Sequence, residues 1–195
     1  MARTIQGILK EDYKKWKDRE YIFTRVDGIY RAKTFGQTIY DALALAEVLL
    51  SYGLKNENIA VYGENSYEWM VSDLAIMGYV GTNVAIDKEW KEYSVSDAIK
   101  RTNVKCVIYS KSKKDIIDNL RSKFDIVYIC MQDDFYELLD KGYGLLKNKK
   151  DIFCFEEREY DKMCKIVFSS GTTGVPKASM LSQRNILCGW DNLYK

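Results

Sequence analysis

The chain is 195 residues long, which is enough for one domain with a substantial hydrophobic core. Its composition is typical of a globular protein, with 47% hydrophobic and 30% charged residues. The 30 basic and 28 acidic residues give a formal net charge of +2, which argues against a nucleic-acid-binding protein because such proteins usually carry a strong basic excess. The chain has no histidine, and this excludes Ser-His-Asp and Cys-His nucleophilic mechanisms within it.

The five cysteines indicate free thiols rather than disulfides or a metal site. None of them forms a C-x-x-C pair, and Cys106 and Cys130 lie in apolar, strand-like runs. We therefore predict buried free thiols in a reducing cytoplasm and no metal site.

No apolar stretch reaches the length of a membrane span, and the N-terminus lacks the apolar core of a signal peptide. The predicted location is the cytoplasm.

The first fifty residues predict a helix, a hairpin and a second helix. Residues 8–20 have the apolar spacing of a short amphipathic helix. An Asp-Gly turn signal between two runs of β-forming residues predicts a β-hairpin over 21–33. Thr34 opens a capping-box pattern, which predicts a helix that stops at Gly53.

The rest of the chain alternates between strand and helix patterns. The predicted strands cover 58–62, 82–86, 104–109, 126–130, 152–155 and 163–168. The predicted helices cover 66–79, 90–101, 113–122, 133–140 and a last segment that starts after Ser182, with a loop over 141–151. This alternation favours an α/β fold with a mostly parallel sheet and helices on both faces, preceded by the β-hairpin. Ligands of such sheets bind at the carboxyl ends of the strands.

Residues 166–177 carry the strongest functional signal in the chain. Three apolar residues, 166–168, continue the last predicted strand and run into small and hydroxylated residues. These are Ser169, Ser170, Gly171, Thr172, Thr173 and Gly174, with Lys177 after the only proline of the chain. Small residues let backbone N–H groups converge on an anion, the hydroxyls add donors and the lysine adds positive charge. The segment therefore suits the phosphates of a nucleotide.

The segment is neither of the two common nucleotide-binding motifs. A Walker A loop needs wider glycine spacing, and the lysine here follows proline; the G-x-G-x-x-G fingerprint is absent. The segment closely resembles the phosphate-binding loop of the AMP-forming acyl-CoA synthetases, whose superfamily also holds peptide-synthetase adenylation domains and luciferases. That loop reads roughly hydroxyl-Ser-Gly-Thr-Thr-Gly-x-Pro-Lys, and Ser169 to Lys177 fits every position. The alternative is a surface loop rich in Ser, Thr and Gly that binds no ligand.

Weaker similarity to this family extends in order over roughly residues 20–195. Residues 59–69 resemble the strand, Gly-Glu-Asn segment and Glu-Trp pair of long-chain acyl-CoA synthetases, and residues 178–186 resemble the segment after the loop. Gln183 stands where histidine is usual, and we expect it to alter packing or a contact on the acyl side of the site. The resemblance implies a single domain over 1–195, the N-terminal portion of an adenylate-forming domain without the mobile C-terminal domain.

The resemblance implies ATP-dependent activation of a carboxylic acid, with a fatty acid favoured, to an acyl-adenylate and then to acyl-CoA. ATP with Mg²⁺ is the implied nucleotide and CoA the co-substrate, and the residue that positions magnesium is expected after Lys195. The implied ligands of the ATP phosphates are Ser169, Ser170, Gly171, Thr172, Thr173, Gly174 and Lys177. The chain holds no complete catalytic set, so we expect it to be inactive alone.

Two other functions stay open. One is a non-catalytic α/β module that binds nucleotide, phosphate or a protein partner; the other is part of an amino-acid or aryl-acid adenylation domain. Glu64, Asn65 and Asp87 follow predicted strands, where such residues either contact substrate or, more commonly, cap the next helix. An incomplete sheet would expose apolar surface and a bare strand edge, which predicts self-association.

Overall fold

The computed structural model describes residues 4–169 and 176–193. The helices are α1 (Ile5–Trp16), α2 (Phe35–Ser51), α3 (Tyr67–Ala75), α4 (Glu92–Arg101), α5 (Lys114–Arg121), α6 (Phe135–Lys147) and α7 (Gln183–Leu193). The strands are β1 (Glu20–Val26), β2 (Ile29–Thr34), β3 (Asn58–Tyr62), β4 (Thr82–Ile86), β5 (Val104–Tyr109), β6 (Val127–Cys130), β7 (Met163–Ser169) and β8 (Lys177–Ser182). A π-helical turn, Ile76–Val80, extends α3, and a 3₁₀ turn, Lys111–Lys113, precedes α5.

The N-terminal elements follow their local sequence signals. The hydroxyl of Thr4 accepts the N–H of Gly7 at 3.1 Å, so α1 begins three residues before the predicted helix. β1 and β2 form a separate antiparallel hairpin, and Asp27 and Gly28 both adopt positive φ angles in its turn, at 50° and 81°. The hydroxyl of Thr34 caps α2 as predicted.

The main sheet confirms the predicted α/β architecture. Within the described residues it has six strands in the order β6-β5-β3-β4-β7-β8, all parallel except β8, which pairs antiparallel with β7. β8 was not predicted, because its first four residues are exposed and carry no apolar alternation. Its strand conformation comes from the ladder with β7.

Helices cover both faces of the sheet, and side chains alternate between the two faces along each strand. Along β3, Ile59 and Val61 pack in one core together with α1, α2, α3 and α6. Ala60 and Tyr62 of the same strand pack in a second core with α4 and α5. Three layers result, with the sheet in the middle.

The course of residues 133–155 corrects two sequence expectations. The helix predicted over 133–140 continues as α6 to Lys147, through Gly142 and Gly144, where a loop was predicted. A Cβ at Gly142 would lie 2.2 Å from the carbonyl oxygen of Ala44, so the glycine allows α6 to approach α2 closely. This contact offsets the poor helix propensity of glycine. The strand predicted over 152–155 is absent; the segment is irregular.

The layer formed by α2 and α6 buries a carboxylate between two phenols. Asp41 is 3% exposed, and it accepts hydrogen bonds from the hydroxyls of Tyr67 and Tyr143, each at 2.5 Å. Burial raises the pKa of Asp41, and the two phenol hydrogen bonds oppose this shift. Burial also raises the pKa values of both tyrosines, so the phenols stay protonated and donate.

The cysteines are free thiols, and Cys106 and Cys130 are buried as predicted. Cys164 is also buried, whereas Cys154 and Cys188 are exposed. Of the described helices, none combines the length and the apolar character that crossing a bilayer requires.

Candidate functional site

The carboxyl ends of five parallel strands lie at one edge of the sheet. β3 pairs in parallel with β4 and β5, β4 with β7, and β5 with β6. The segments that follow these strands therefore gather along that edge, which is where open parallel sheets bind ligands. The predicted phosphate loop follows β7 and begins at this edge.

Two of the predicted phosphate ligands, Ser169 and Lys177, lie opposite each other at the end of the β7–β8 ladder. They are the last Cα partners of the antiparallel ladder, next to the pair Phe168 and Ala178. Both residues are exposed. The pairing holds the two ends of the predicted loop side by side at the carboxyl edge. The other predicted ligands lie outside the described residues: Ser170, Gly171, Thr172, Thr173 and Gly174.

An aromatic pair anchors β7 just before the loop. The ring of Phe168 packs on Trp90, with the centroids 4.9 Å apart and the planes tilted by 58°. The carbonyl of Trp90 in turn accepts the hydroxyl of Tyr62 at 2.6 Å. Burial raises the pKa of Tyr62 to about 12, so this donor is protonated at neutral pH. The carboxyl end of β7 is thus fixed to the segment that joins β4 to α4.

Arg101 contacts the other end of the loop, and sequence reasoning missed it. Its Nη2 donates to the carbonyl oxygen of Pro176 at 3.0 Å, and its Nε lies 2.8 Å from Oδ2 of Asp97. The guanidinium also lies 6.0 Å from the centroid of the Phe168 ring. The i,i+4 spacing of Asp97 and Arg101 is visible in the sequence, but nothing local shows that Arg101 reaches Pro176, 75 positions away.

Glu64 joins the segments that follow β3 and β5. Its carboxylate forms an ion pair with Lys113 at 2.8 Å and accepts the hydroxyl of Ser112 at 2.8 Å. These hydrogen bonds, the one from Lys113 first, lower the pKa of Glu64 to about 2. The expectation that Glu64 or Asn65 caps the next helix is corrected, because Ser66 is the residue whose hydroxyl accepts the N–H of Trp69 and caps α3.

Gly63 permits the close approach of these two segments. Its φ is +157°, and a Cβ there would lie 1.9 Å from Oγ of Ser110. That hydroxyl oxygen accepts the N–H of Glu64 at 3.1 Å. Only glycine fits between the end of β3 and Ser110, which explains the glycine in the Gly-Glu-Asn segment.

Asp87, directly after β4, stabilises a turn with its side chain. Its Oδ1 accepts a hydrogen bond at 2.8 Å from the backbone N–H of Glu89, two residues later in the chain. Asn65 lines a groove of about 530 Å³ between the β1–β2 hairpin and the start of α3. The carboxylates of Glu64 and Asp87 thus bond to groups of the protein itself. The two ends of the predicted loop are therefore the candidate ligand contacts at this edge.

Charge at the carboxyl edge is largely paired, with Lys177 as an exception. Lys113 pairs with Glu64, and Lys111 pairs with Asp133 at 2.7 Å. No carboxylate of residues 4–169 and 176–193 forms an ion pair with Lys177, whose side chain is exposed. Its ammonium is therefore open to an anion.

Residues 4–169 and 176–193 contain no group of three Asp, Glu, Cys or His side chains that could hold a metal ion.

The chain is similar to known proteins over nearly its whole length. A family model described as AMP-binding enzyme matches residues 9–194. Luciferin 4-monooxygenase of Photuris pensylvanica is 30% identical over 73% of this chain and 28% of its own length. The mitochondrial medium-chain acyl-CoA ligase of Danio rerio is 26% identical over 95% of this chain and 35% of its own length. The chain thus spans about a third of the length of these relatives.

A solved structure shows the same fold. The anthranilate CoA ligase AuaEII, in complex with anthranoyl-AMP, superimposes with a TM-score of 0.77 over 93% of this chain and 34% of its own, at 18% identity. The family match, the two relatives and this fold agree with the resemblance found in the sequence. The chain belongs to the AMP-binding enzyme family, the adenylate-forming superfamily that includes the acyl-CoA synthetases.

Proposed function

We propose that this chain supplies the ATP phosphate-binding part of an enzyme that activates a carboxylic acid and transfers its acyl group to CoA. The observation that carries the proposal is the pairing of Ser169 with Lys177 at the carboxyl edge of the sheet. This pairing brackets a loop whose sequence matches the family pattern at every position. The family match over residues 9–194 supports adenylate chemistry for the whole protein.

The reaction has two displacement steps. A carboxylate oxygen attacks the α-phosphorus of ATP, the bond to the bridging oxygen of the β-phosphate breaks, and pyrophosphate leaves. The CoA thiolate then attacks the acyl carbon of the adenylate, the acyl C–O bond breaks, and AMP leaves. Pyrophosphate is a good leaving group only when its charge is neutralised.

The loop residues are assigned to that neutralisation. In the proposal, backbone N–H groups of residues 171–174 and the hydroxyls of Thr172 and Thr173 bind the β- and γ-phosphates, with Ser169, Ser170 and the ammonium of Lys177. The same contacts orient the α-phosphorus for in-line attack. Magnesium enters this proposal only as the partner of ATP.

We propose a fatty acid as the substrate. The support is the resemblance of residues 63–65 and 178–182 to long-chain synthetases, together with a medium-chain relative. The other two similar proteins named above have a luciferin and anthranilate in their names, so similarity alone does not select the acid. Pyrophosphate exchange with fatty, aryl and amino acids, measured on the protein that contains this chain, tests the proposal. Exchange that depends on an aryl or amino acid alone would reject it.

Substitution of Lys177 tests the phosphate assignment. In the protein that contains this chain, we expect Lys177→Ala to reduce ATP–pyrophosphate exchange by about two orders of magnitude, the loss typical of removing one charge-stabilising donor. The thermal unfolding midpoint should not change, because the side chain is exposed. Lys147→Ala, at the exposed end of α6, is the matched control. Unchanged exchange in Lys177→Ala contradicts the assignment.

The chain by itself provides a second test. We propose that the 195 residues alone bind ATP and pyrophosphate but do not form an adenylate. Calorimetric titration of the chain with each ligand, and a pyrophosphate-exchange assay, measure the two properties separately. Exchange by the chain alone would contradict its proposed inactivity, and absence of any nucleotide binding would favour a protein-interaction module.

Self-association of the chain is part of the proposal. Within the described residues β8 is the outer strand of the sheet and pairs only with β7. Met180 on this strand is 71% exposed. An unprotected strand edge with exposed apolar side chains favours pairing with another chain. Light scattering should therefore show dimers or larger species as the concentration rises, and a monomer at all concentrations would contradict this.

A further inference from the structure

A second cavity lies at the opposite edge of the sheet, where the strands begin. Its volume is about 290 Å³, and it is lined by residues that directly precede β3, β4 and β7, among them Asn56, Val80 and Lys162. The strands run away from this cavity toward the candidate phosphate site. The two sites therefore share no residue, and each can be tested without the other.

One of the residues that line the cavity is a buried arginine without a counter-charge. Arg158 is 6% exposed, and no carboxylate among residues 4–169 and 176–193 forms an ion pair with it. Its Nη2 donates to the carbonyl of Met163 at 3.3 Å, while its Nε–H has no partner within the described part of the chain. Burial lowers the pKa of this guanidinium, which reflects the cost of keeping the charge away from water.

A buried phenol without a hydrogen-bond partner lines the same cavity. Tyr79 is 5% exposed, and its hydroxyl bonds to no group in the described ranges. Burial raises its pKa, so the hydroxyl is a donor at neutral pH. Tyr79 belongs to the π-helical turn Ile76–Val80, and such turns are frequent at functional sites. Buried polar groups are almost always paired in folded proteins, so two unpaired donors on residues that line one cavity indicate a missing acceptor.

The remaining charges of the cavity lining largely cancel. Lys149 pairs with Glu47 at 2.5 Å, and Lys55 pairs with Glu156. Lys162 donates to the side-chain oxygen of Asn56 at 2.8 Å. With Arg158, four cations line the cavity against three carboxylates, the third being the exposed Glu157. The lining is therefore positive by one charge.

We propose that this cavity binds a small molecule through a carboxylate or phosphate group, with the Nε–H of Arg158 and the hydroxyl of Tyr79 as donors. Arginine and phenol donors suit such an oxyanion, and a charge-assisted hydrogen bond is stronger than a neutral one. Phe155, whose ring centroid lies 4.6 Å from that of Tyr79, and Leu50 give the ligand body an apolar wall. The volume admits a ligand of few heavy atoms.

NMR titration of the ¹⁵N-labelled 195-residue chain tests the proposal. Inorganic phosphate and butyrate are added separately into the millimolar range, and the Nε–H signal of Arg158 and the amide signals around it are followed. We expect a saturable shift with at least one probe. A response to phosphate alone assigns a phosphate-bearing ligand, and a response to butyrate alone assigns a carboxylate.

Four variants locate the binding. Tyr79→Phe keeps the ring and removes the donor, so it should weaken binding by about tenfold. Arg158→Gln should abolish binding, and if this variant does not fold, Tyr79→Phe decides alone. Lys177→Ala weakens only binding at the proposed phosphate loop, so the Arg158 signals should still shift as in the parent. Arg184→Gln removes an exposed cation that does not line the cavity, and it should also leave the shifts of these signals unchanged.

Two results would overturn the proposal. The first is the absence of a saturable shift with either probe. The second is binding that Lys177→Ala abolishes and Tyr79→Phe leaves intact, because the probe would then occupy the loop at the carboxyl edge.

Discussion

The α2–α6 layer and the carboxyl edge of the sheet use polar groups in opposite ways. In the layer, Asp41 is almost fully buried and bonded to two phenols, and Gly142 lets two backbones touch. At the edge, the carboxylate of Glu64 is 46% exposed in its ion pair, and Lys177 faces solvent. The layer fixes the fold, whereas the edge keeps charges accessible. Substitutions in the layer should therefore change stability, and those at the edge should change binding.

The largest effect is expected for Asp41→Ala. This change removes the acceptor of two phenol hydroxyls and leaves Tyr67, which is 3% exposed, without its partner. We expect the free energy of unfolding to fall by about 3 kcal/mol. Urea denaturation measures it, with Asp140→Ala on the exposed face of α6 as the control, expected within about 0.5 kcal/mol of the parent. Equal losses in both variants would contradict the role of the buried cluster.

Two glycines of α6 form a matched pair for the next prediction. Gly142→Ala places a Cβ against the carbonyl oxygen of Ala44 and should cost about 2 kcal/mol, because two backbones must separate. Gly144→Ala meets nothing within 4 Å and should stabilise the helix by about 1 kcal/mol. The same denaturation experiment compares them. Stabilisation by both substitutions would show that the close contact of α2 and α6 is not made.

Arg101→Gln should weaken ATP binding by about fivefold, since it removes the hydrogen bond to the carbonyl of Pro176 at one end of the proposed loop. Arg121→Gln is the matched control, because Arg121 also pairs with an aspartate on its own helix and lies over an aromatic ring, but contacts neither of the described ends of the loop. Calorimetric titration with ATP measures both, and thermal unfolding checks stability. Equal affinities in the two variants would contradict a positioning role for Arg101.

The smallest effect is expected from Glu64. Its pKa is lowered in the folded state, so its ion pair stabilises the fold above the unfolded-state pKa and loses that stabilisation as the pH falls through about 2. Because the pair is half exposed, the contribution should be below about 1 kcal/mol. Urea denaturation of the parent and Glu64→Gln should differ at neutral pH and converge toward pH 2. A constant difference would exclude this ion pair as the cause.

The parts of the fold that the sequence predicts well are those with local signals. β3, β4 and β5 have the predicted bounds because each is a short apolar run between turn residues. Three features depend on distant contacts and could not be predicted. α6 continues through Gly142 because the missing side chain lets it pack against the backbone of Ala44. β8 adopts a strand conformation because it pairs with β7, and residues 152–155 are irregular although they are apolar.

The site was predictable to the same extent. The loop motif predicts Ser169 and Lys177 as phosphate ligands, which stays a prediction, and the alternation of elements predicted the position of these two residues at the carboxyl edge. Arg101 could not be found, because its partner Pro176 is remote in sequence. Gln183, expected to alter packing or an acyl-side contact, is fully buried; it accepts the N–H of Ile5 at 2.9 Å and donates to the carbonyl of Glu159 at 3.1 Å. Packing is therefore the role that the structure gives to Gln183.

The hydrogen bond between Asp41 and Tyr143 has a consequence for the order of folding. The two residues are 102 positions apart, and the chain between them contains β3, β4, β5 and β6. Parallel strands pair only through crossover connections, and loop-closure entropy must be paid before remote contacts form. We therefore expect the hairpin and α2 to form early, and the docking of α6 onto α2 to form late. A ribosome-bound chain that ends before residue 135 would leave the apolar face of α2 open to chaperones.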